Sequence, residues 1–358
     1  MLKGAYLNYA STNAKVSGNF NPSDIYSDNT VLMDKFGQFV HKLCVELNAP
    51  IGSRVILNSG STESISNVIF WAKNINPFGT VVGTDFDHSS VKANAELHKM
   101  NYQQKLHDNT SLLFLTHVKS STGEILDVDK IVDNINNYTF INEESTMFIT
   151  DGSLPMMNVD DEQPSIITDS SSFPLVMQNR PLIVLDAAQS IMKIPIDMTK
   201  WTLDAVFFSL HKLGGPIGVG VLVIAPGKTF TPLIAGSQQD GLRGGTFPFN
   251  IDFEKIMVES SSIRSRKKKW EKAKEFLENE KISVYSPKHK HLYNTLLIDT
   301  KDKCSDALIK ILADDNIYVG NLTACSKGGH NIRISFDNEK EINNKILKKI
   351  VKTINEVH

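Results

Sequence analysis

Cysteine is scarce in this chain. Its 358 residues hold three, Cys44, Cys304 and Cys325, too few and too scattered for a disulfide framework, so a reduced intracellular setting is expected. Long apolar runs are missing too. No stretch approaches the ~18 apolar residues that a membrane helix needs. The opening residues, MLKGAYLNYAST, lack the apolar h-region of a secretory signal. These absences together give a cytoplasmic expectation with no membrane contact. A charge excess is also missing: the formal net charge is −2, which offers no argument for nucleic acid or another polyanion. There is no internal repeat, and no cluster of metal ligands is expected. What is present is ordinary globular material, 41% hydrophobic, enough for a sizeable core and about two domains.

Apolar runs of strand length alternate with amphipathic stretches. Strands are predicted at Val55–Leu57, Thr80–Gly83, Leu112–Val118, Leu182–Leu185, Ala205–Ser209 and Gly220–Ile224. Helices are predicted at Ser64–Lys73, Val91–Met100 and Val128–Asn136. That alternation is the signature of an α/β fold around a mostly parallel sheet. After about residue 250 the pattern changes. One long helix is predicted over Phe253–Leu277, with helices at Ser305–Asp314 and Lys340–Ile354. Short strands are predicted near Tyr293–Ile298, Ile317–Val319 and Ile332–Phe336. The expected division is an N-terminal segment 1–15 on the small-domain side, a large domain 16–250 and a small α+β domain 251–358. The stretch Asp151–Arg180 is rich in Pro, Asp and Ser without periodicity. Loops longer than about 12–15 residues are uncommon inside a domain, so it reads as a surface insertion. The basic run Arg264–Lys274 reads as a solvated helix face.

Two segments carry most of the chemistry. LIVLDAAQ (182–189) ends in Asp186 and Gln189, and LDAVFFSLHK (203–212) ends in Ser209, His211 and Lys212. Lys212 lies 26 residues after Asp186, room for a strand, a connection and a second strand. Two buried strands ending side by side would point Asp186 and Lys212 into one cavity. A lone lysine is ordinarily a surface charge. Here it follows an apolar strand and precedes a glycine-rich turn. A carboxylate facing a lysine amine is the pairing that pyridoxal phosphate requires. The lysine forms the Schiff base, and the carboxylate keeps the pyridine nitrogen protonated. Gly60-Ser61-Thr62 sits between a strand and a helix, where backbone N–H groups and a hydroxyl can cradle a phosphate. Ser61 and Thr62 alone would be ordinary helix caps. With Lys212 they become candidates for the cofactor phosphate.

Ten short motifs then fall in order: YLNYAST (6–12), NPSDIYS (21–27), SGSTES (59–64), DHSSV (87–91), LDAAQS (185–190), SLHKLGGPIGVG (209–220), GLRGGT (241–246), YNTLLI (293–298), TACS (323–326) and IRIS (332–335). In this order they resemble the NifS/IscS type of cysteine desulfurase, within the class-V aminotransferases of fold-type I. The resemblance runs from Tyr6 to about Phe336. It implies a large domain with a seven-stranded-type sheet between helices and a small α+β domain. Lys212 would be the cofactor lysine, Asp186 the partner of the ring nitrogen and Gln189 the partner of the ring oxygen. Ser209 and His211 would contact the phosphate. His88 would stack on the ring and move protons. Thr246 would reach the phosphate of a neighbouring subunit's cofactor, which implies a homodimer. Cys325 would accept sulfur as a persulfide, since a thiolate that can reach the cofactor is required. Arg333 would clamp the substrate carboxylate with its guanidinium fork. Cys44 and Cys304 read as small core or surface residues.

Three places depart from the family pattern. Lys119–Gly123 stands where the family has an NNExG-like motif, so Ser120 takes the place of an asparagine that contacts the ring oxygen. Leu322 stands where a glycine precedes the cysteine motif. Cys325 and Arg333 are 8 residues apart, shorter than in typical relatives, although an extended segment of that length still spans up to ~26 Å. The activity implied is conversion of L-cysteine to L-alanine with sulfur passed to Cys325. From there it would go to an acceptor protein, in iron–sulfur cluster assembly or tRNA thiolation. Two alternatives stay open: another pyridoxal-phosphate lyase or aminotransferase such as a selenocysteine lyase, and a binding protein on the same scaffold that has lost catalysis.

Overall fold

The computed structural model describes residues 5–6, 30–136, 139–140, 176–177, 180–248, 251–256, 263–287, 290–300, 303–321, 330–336 and 342–357. In chain order the elements begin with β1 (Ala5–Tyr6), α1 (Thr30–Glu46), β2 (Arg54–Asn58), α2 (Ser61–Ile75), β3 (Thr80–Val82), α3 (Ser89–Leu97) and β4 (Tyr102–Gln103). Next come β5 (Thr110–Thr116), α4 (Val128–Asn136), β6 (Thr139–Phe140), β7 (Val176–Met177), β8 (Leu182–Asp186), β9 (Ala205–Ser209) and β10 (Gly220–Ile224). The C-terminal part holds α5 (Ile263–Asn279), β11 (Thr295–Asp299), α6 (Ser305–Asp314), β12 (Ile317–Tyr318), β13 (Gly320–Asn321), β14 (Asn331–Ser335) and α7 (Asn344–Glu356).

Seven strands form one sheet in the order β2-β10-β9-β8-β5-β3-β4. β10 runs antiparallel to both neighbours, and the remaining pairs are parallel. Every residue of β5, β8, β9 and β10 is buried, as expected for strands covered on both faces. Side chains alternate between those faces. Leu113, Leu115, Ile183, Leu185, Val206 and Phe208 join Phe39 and Leu43 of α1, Leu47 just after it, and Val128 and Val132 of α4. Leu112, Phe114, Leu182, Val184 and Phe207 join Ile65, Val68 and Trp71 of α2 and Val91 of α3. Each such side chain, once fully buried, contributes about 1.5–3 kcal/mol.

A second core lies under the sheet β11-β14-β13. It gathers Trp270 and Leu277 of α5, Leu308 and Leu312 of α6, and Leu347, Ile350, Val351 and Ile354 of α7. The α7 set is the i, i+3, i+4, i+7 stripe of an amphipathic helix. β1 pairs in parallel with β12.

One predicted element is corrected. The long helix expected over Phe253–Leu277 is a short 3₁₀ turn, Phe253–Lys255, followed by extended backbone at Ile256, and α5 starts only at Ile263. Phe253 and Ile256 are buried in the large-sheet core, and Phe253 sits against the rings of Phe36 and Phe39. Anchoring these apolar groups to one core while Trp270 enters another overrides helical periodicity. The predicted start at Lys340 also shifts. Asn343 caps α7, its Oδ1 accepting the N–H groups of Lys345 and Ile346, and a cap residue is non-helical by definition. Within the insertion expected at 151–180, only β7 and Arg180 lie among the described residues, and β7 pairs with β6.

Candidate active site

One edge of the large sheet collects the candidate residues. Asp186 ends β8, Ser209 ends β9, Thr116 ends β5 and Asn58 ends β2. The register pairs Thr116 with Asp186 and sets Gly220, the first residue of antiparallel β10, between Ser209 and Asn58. The carboxyl edge of an open α/β sheet is where such folds bind ligands.

At this edge α2 begins. Gly60 precedes it at φ 147, a conformation open to glycine. Ser61 donates its N–H to Ser209 Oγ at 2.9 Å, and the two hydroxyls lie 2.8 Å apart. The helix N-terminus and both hydroxyls therefore face one point, an anion-binding arrangement. Thr62 is exposed in the same first turn. Glu63 turns back to accept the N–H of Ser59 at 2.8 Å, and Arg243 grips both its oxygens at 2.8 and 3.1 Å. That pair ties the start of α2 to the loop bearing Thr246, which is exposed.

Beyond β9 the chain makes one 3₁₀ turn, Leu210–Leu213, closed by Gly214 at φ 82. This turn carries His211 and Lys212, and burial followed by the charges of Lys193 and Arg333 pulls the Lys212 amine down to about 7, with Asp186 opposing. Asp186 is buried and accepts the N–H of Ala188 at 2.8 Å. Burial pushes its carboxyl up to about 6, against that hydrogen bond and the charge of Lys212. Gln189 is half-buried in the turn that follows. His88 caps α3. The protein around it and then the charge of Lys212 hold its imidazole below the ordinary value. Arg333, buried in β14, donates Nη1 to the carbonyl of Ser120 at 3.1 Å. The structure thus brings Asp186, His88 and Arg333 each into electrostatic reach of Lys212 and joins Arg333 to Ser120. Cys325 lies outside the described residues.

Sequence reasoning missed three residues here. Asp87 sits beside His88, but its carboxyl turns away into an enclosed cluster. It accepts from Thr84 N and Oγ1 at 3.0 Å each, from Thr116 Oγ1 at 2.7 Å and from Tyr102 Oη at 3.1 Å. Burial pushes it up to about 7, against those hydrogen bonds. Lys193 is a further cation acting on Lys212, and Ser90 contacts the His88 ring. Only the Asp-His dipeptide hinted at any of them. The other contacts depend on strand register and turn geometry. Among the described residues, no helix is long and apolar enough to cross a membrane, and no group of three or more His, Cys, Asp or Glu is placed to hold a metal ion.

The architecture is an α/β scaffold of fold-type I. The chain superimposes on a solved NifS-like protein with a TM-score of 0.75 over 99% of this chain and 100% of that one, at 19% identity. The aminotransferase class-V family matches residues 170–241. The cysteine desulfurase IscS of Buchnera aphidicola is 27% identical over 261 residues, 68% of this chain and 59% of that protein. The cysteine desulfurase NifS of Azotobacter vinelandii is 28% identical over 240 residues, 63% of this chain and 51% of that protein. The matches thus span less than two thirds of the length of these curated relatives. The chain is similar to the NifS/IscS-like cysteine desulfurases and, over residues 170–241, to the class-V aminotransferases, a family of pyridoxal-phosphate enzymes.

Proposed function

We propose that this chain is a pyridoxal-phosphate-dependent cysteine desulfurase. The observation that carries the reading is the convergence of Asp186, His88 and Arg333 on Lys212. The donor set suits the cofactor. It combines a buried carboxylate for a ring nitrogen, a buried amine of lowered pKa for a carbonyl, and two hydroxyls at a helix N-terminus for a phosphate. Lys212 would hold the cofactor, with Asp186 and Gln189 at its ring and Ser61, Thr62, Ser209 and His211 at its phosphate. When bound, pyridoxal phosphate supplies an electron sink for charge developing at the substrate Cα.

The chain's own residues supply the rest. Arg333 would receive the carboxylate of L-cysteine, its guanidinium already fixed through Ser120. An amine at about 7 has a substantial neutral fraction near neutrality. Lys212 Nζ can therefore take the proton from Cα and return it. The Cys325 thiolate would attack the substrate sulfur. The C–S bond breaks, an S–S bond forms, L-alanine leaves, and the two thiol protons end on the alanine methyl group and the persulfide. An acceptor protein would then take the sulfur. We further propose a homodimer in which Thr246 reaches the partner's cofactor phosphate, a cytoplasmic setting, and a large and a small domain meeting near residue 250, matching the two separate cores.

The test is alanine and sulfide release from L-cysteine by the loaded protein with a reductant present. Equal yields are expected, lost in Lys212→Ala and at least about 100-fold lower in Cys325→Ala, the scale of removing a nucleophile or base. Full sulfide release by Cys325→Ala would refute the proposed route.

A further inference from the structure

His88 is an unusual helix cap. Caps are ordinarily Ser, Thr, Asp or Asn, whose oxygen accepts a backbone N–H of the first turn. Here the acceptor is the ring: Ser90 N–H points at His88 Nδ1 at 3.2 Å, and Ser90 Oγ lies 2.7 Å from the same atom. A backbone N–H can only donate, so this longer contact favours a lone pair on Nδ1 without fixing it alone. A proton on Nδ1 would set two N–H groups against each other at 3.2 Å. The hydroxyl, free to rotate, then donates as well and makes the shorter bond. The neutral imidazole is left with its proton on Nε2.

The surroundings agree with this assignment. The ring sits at the N-terminus of α3, a nine-residue helix, whose partial positive charge opposes an imidazolium. Lys212, on the turn after β9, is the charged side chain that acts on it. The neighbouring carboxyl of Asp87 does not compensate, because Thr84, Thr116 and Tyr102 hold it in their own cluster. That cluster and the cap together fix the backbone on both sides of the ring.

We propose that Ser90 is a positioning residue that locks His88 in the Nε2–H tautomer, so that the ring offers the pocket a hydrogen-bond donor and leaves proton abstraction to Lys212. The catalytic consequence rests on the desulfurase reading, and the tautomer itself does not.

The test uses nitrogen NMR of His88 in the full chain without cofactor, so that its outcome does not depend on turnover. The expected spectrum shows an unprotonated Nδ1 and a protonated Nε2 while the ring is neutral. Ser90→Ala should raise the Nδ1–H fraction severalfold, and Ser90→Thr should restore the original pattern. An Nδ1–H ring in the unaltered chain, or no change in Ser90→Ala, would overturn the proposal. In the loaded enzyme, Ser90→Ala should lower kcat roughly fivefold at unchanged KM, the worth of about one hydrogen bond, with Ser90→Thr near the original rate. An altered tautomer with unaltered kcat would overturn the catalytic half. If no variant and no parent turns over L-cysteine, the desulfurase reading fails while the NMR result still decides the tautomer.

Discussion

Lys212 destabilises the unloaded fold in a pH-dependent way. Its amine titrates at about 7 in the folded chain against an ordinary 10.5. Between those values the unfolded chain binds more protons, so stability rises with pH across the window. Below about pH 7 the penalty for burying the charge is present in full. Lys212→Met should therefore stabilise the cofactor-free protein most at or below pH 7, with the gain fading towards pH 10.5. Urea unfolding of both proteins at several pH values measures this. A constant difference across the window would show that Lys212 is not held in a desolvated, electropositive site. Asp186 and Asp87 act in the opposite sense at lower pH. Their carboxyls are raised to about 6 and about 7, so their share of stability falls as pH rises from the ordinary carboxylate range to those values. Comparing the variant with its parent isolates the lysine. The link between Asp186 and Lys212 was readable in the sequence, because two apolar runs each ended in a reactive group. The Asp87 cluster was not, because Thr116, 29 positions away, reaches it only through the pairing of β3 with β5.

At the scale of elements, edge strand β2 shows how the site is held. Leu57 exposes an N–H and a C=O on the side away from β10, and the amide of Gln239 takes both, at 2.7 and 2.8 Å. Gln239 sits at φ 49 and Asp240 at φ 57, left-handed conformations that cost non-glycine residues roughly 1 kcal/mol each. The turn accepts that strain to cap the sheet edge and to set the loop through Arg243 to Thr246. Gln239→Ala should lower stability by about 1–3 kcal/mol through the unpaired groups on Leu57, measured by urea unfolding. A loss below about 0.5 kcal/mol would mean that water replaces the amide. Strands β9 and β10 and helix α6 matched their predicted spans because apolar run length settles them. The start of the helix expected from Phe253 did not match. Phe253 and Ile256 serve one core and Trp270 another, a tertiary demand that local periodicity does not encode.

At the scale of the whole molecule, the small-sheet body meets the large sheet next to the site. Arg333 donates to the carbonyl of Ser120, Tyr285 donates to Glu124 at 3.2 Å, and buried Arg266 donates to the carbonyl of Lys193 at 3.5 Å. Each large-sheet partner lies within a few positions of a candidate site residue or carries a charge acting on Lys212. Any shift between the two bodies therefore moves Arg333 relative to Lys212. The most direct measurement is a single turnover of L-cysteine by the loaded protein without reductant, followed by peptide mass mapping. The account requires one alanine per active site and one added sulfur atom on Cys325. Alanine absent, or sulfur carried by Cys44 or Cys304 instead, would contradict it.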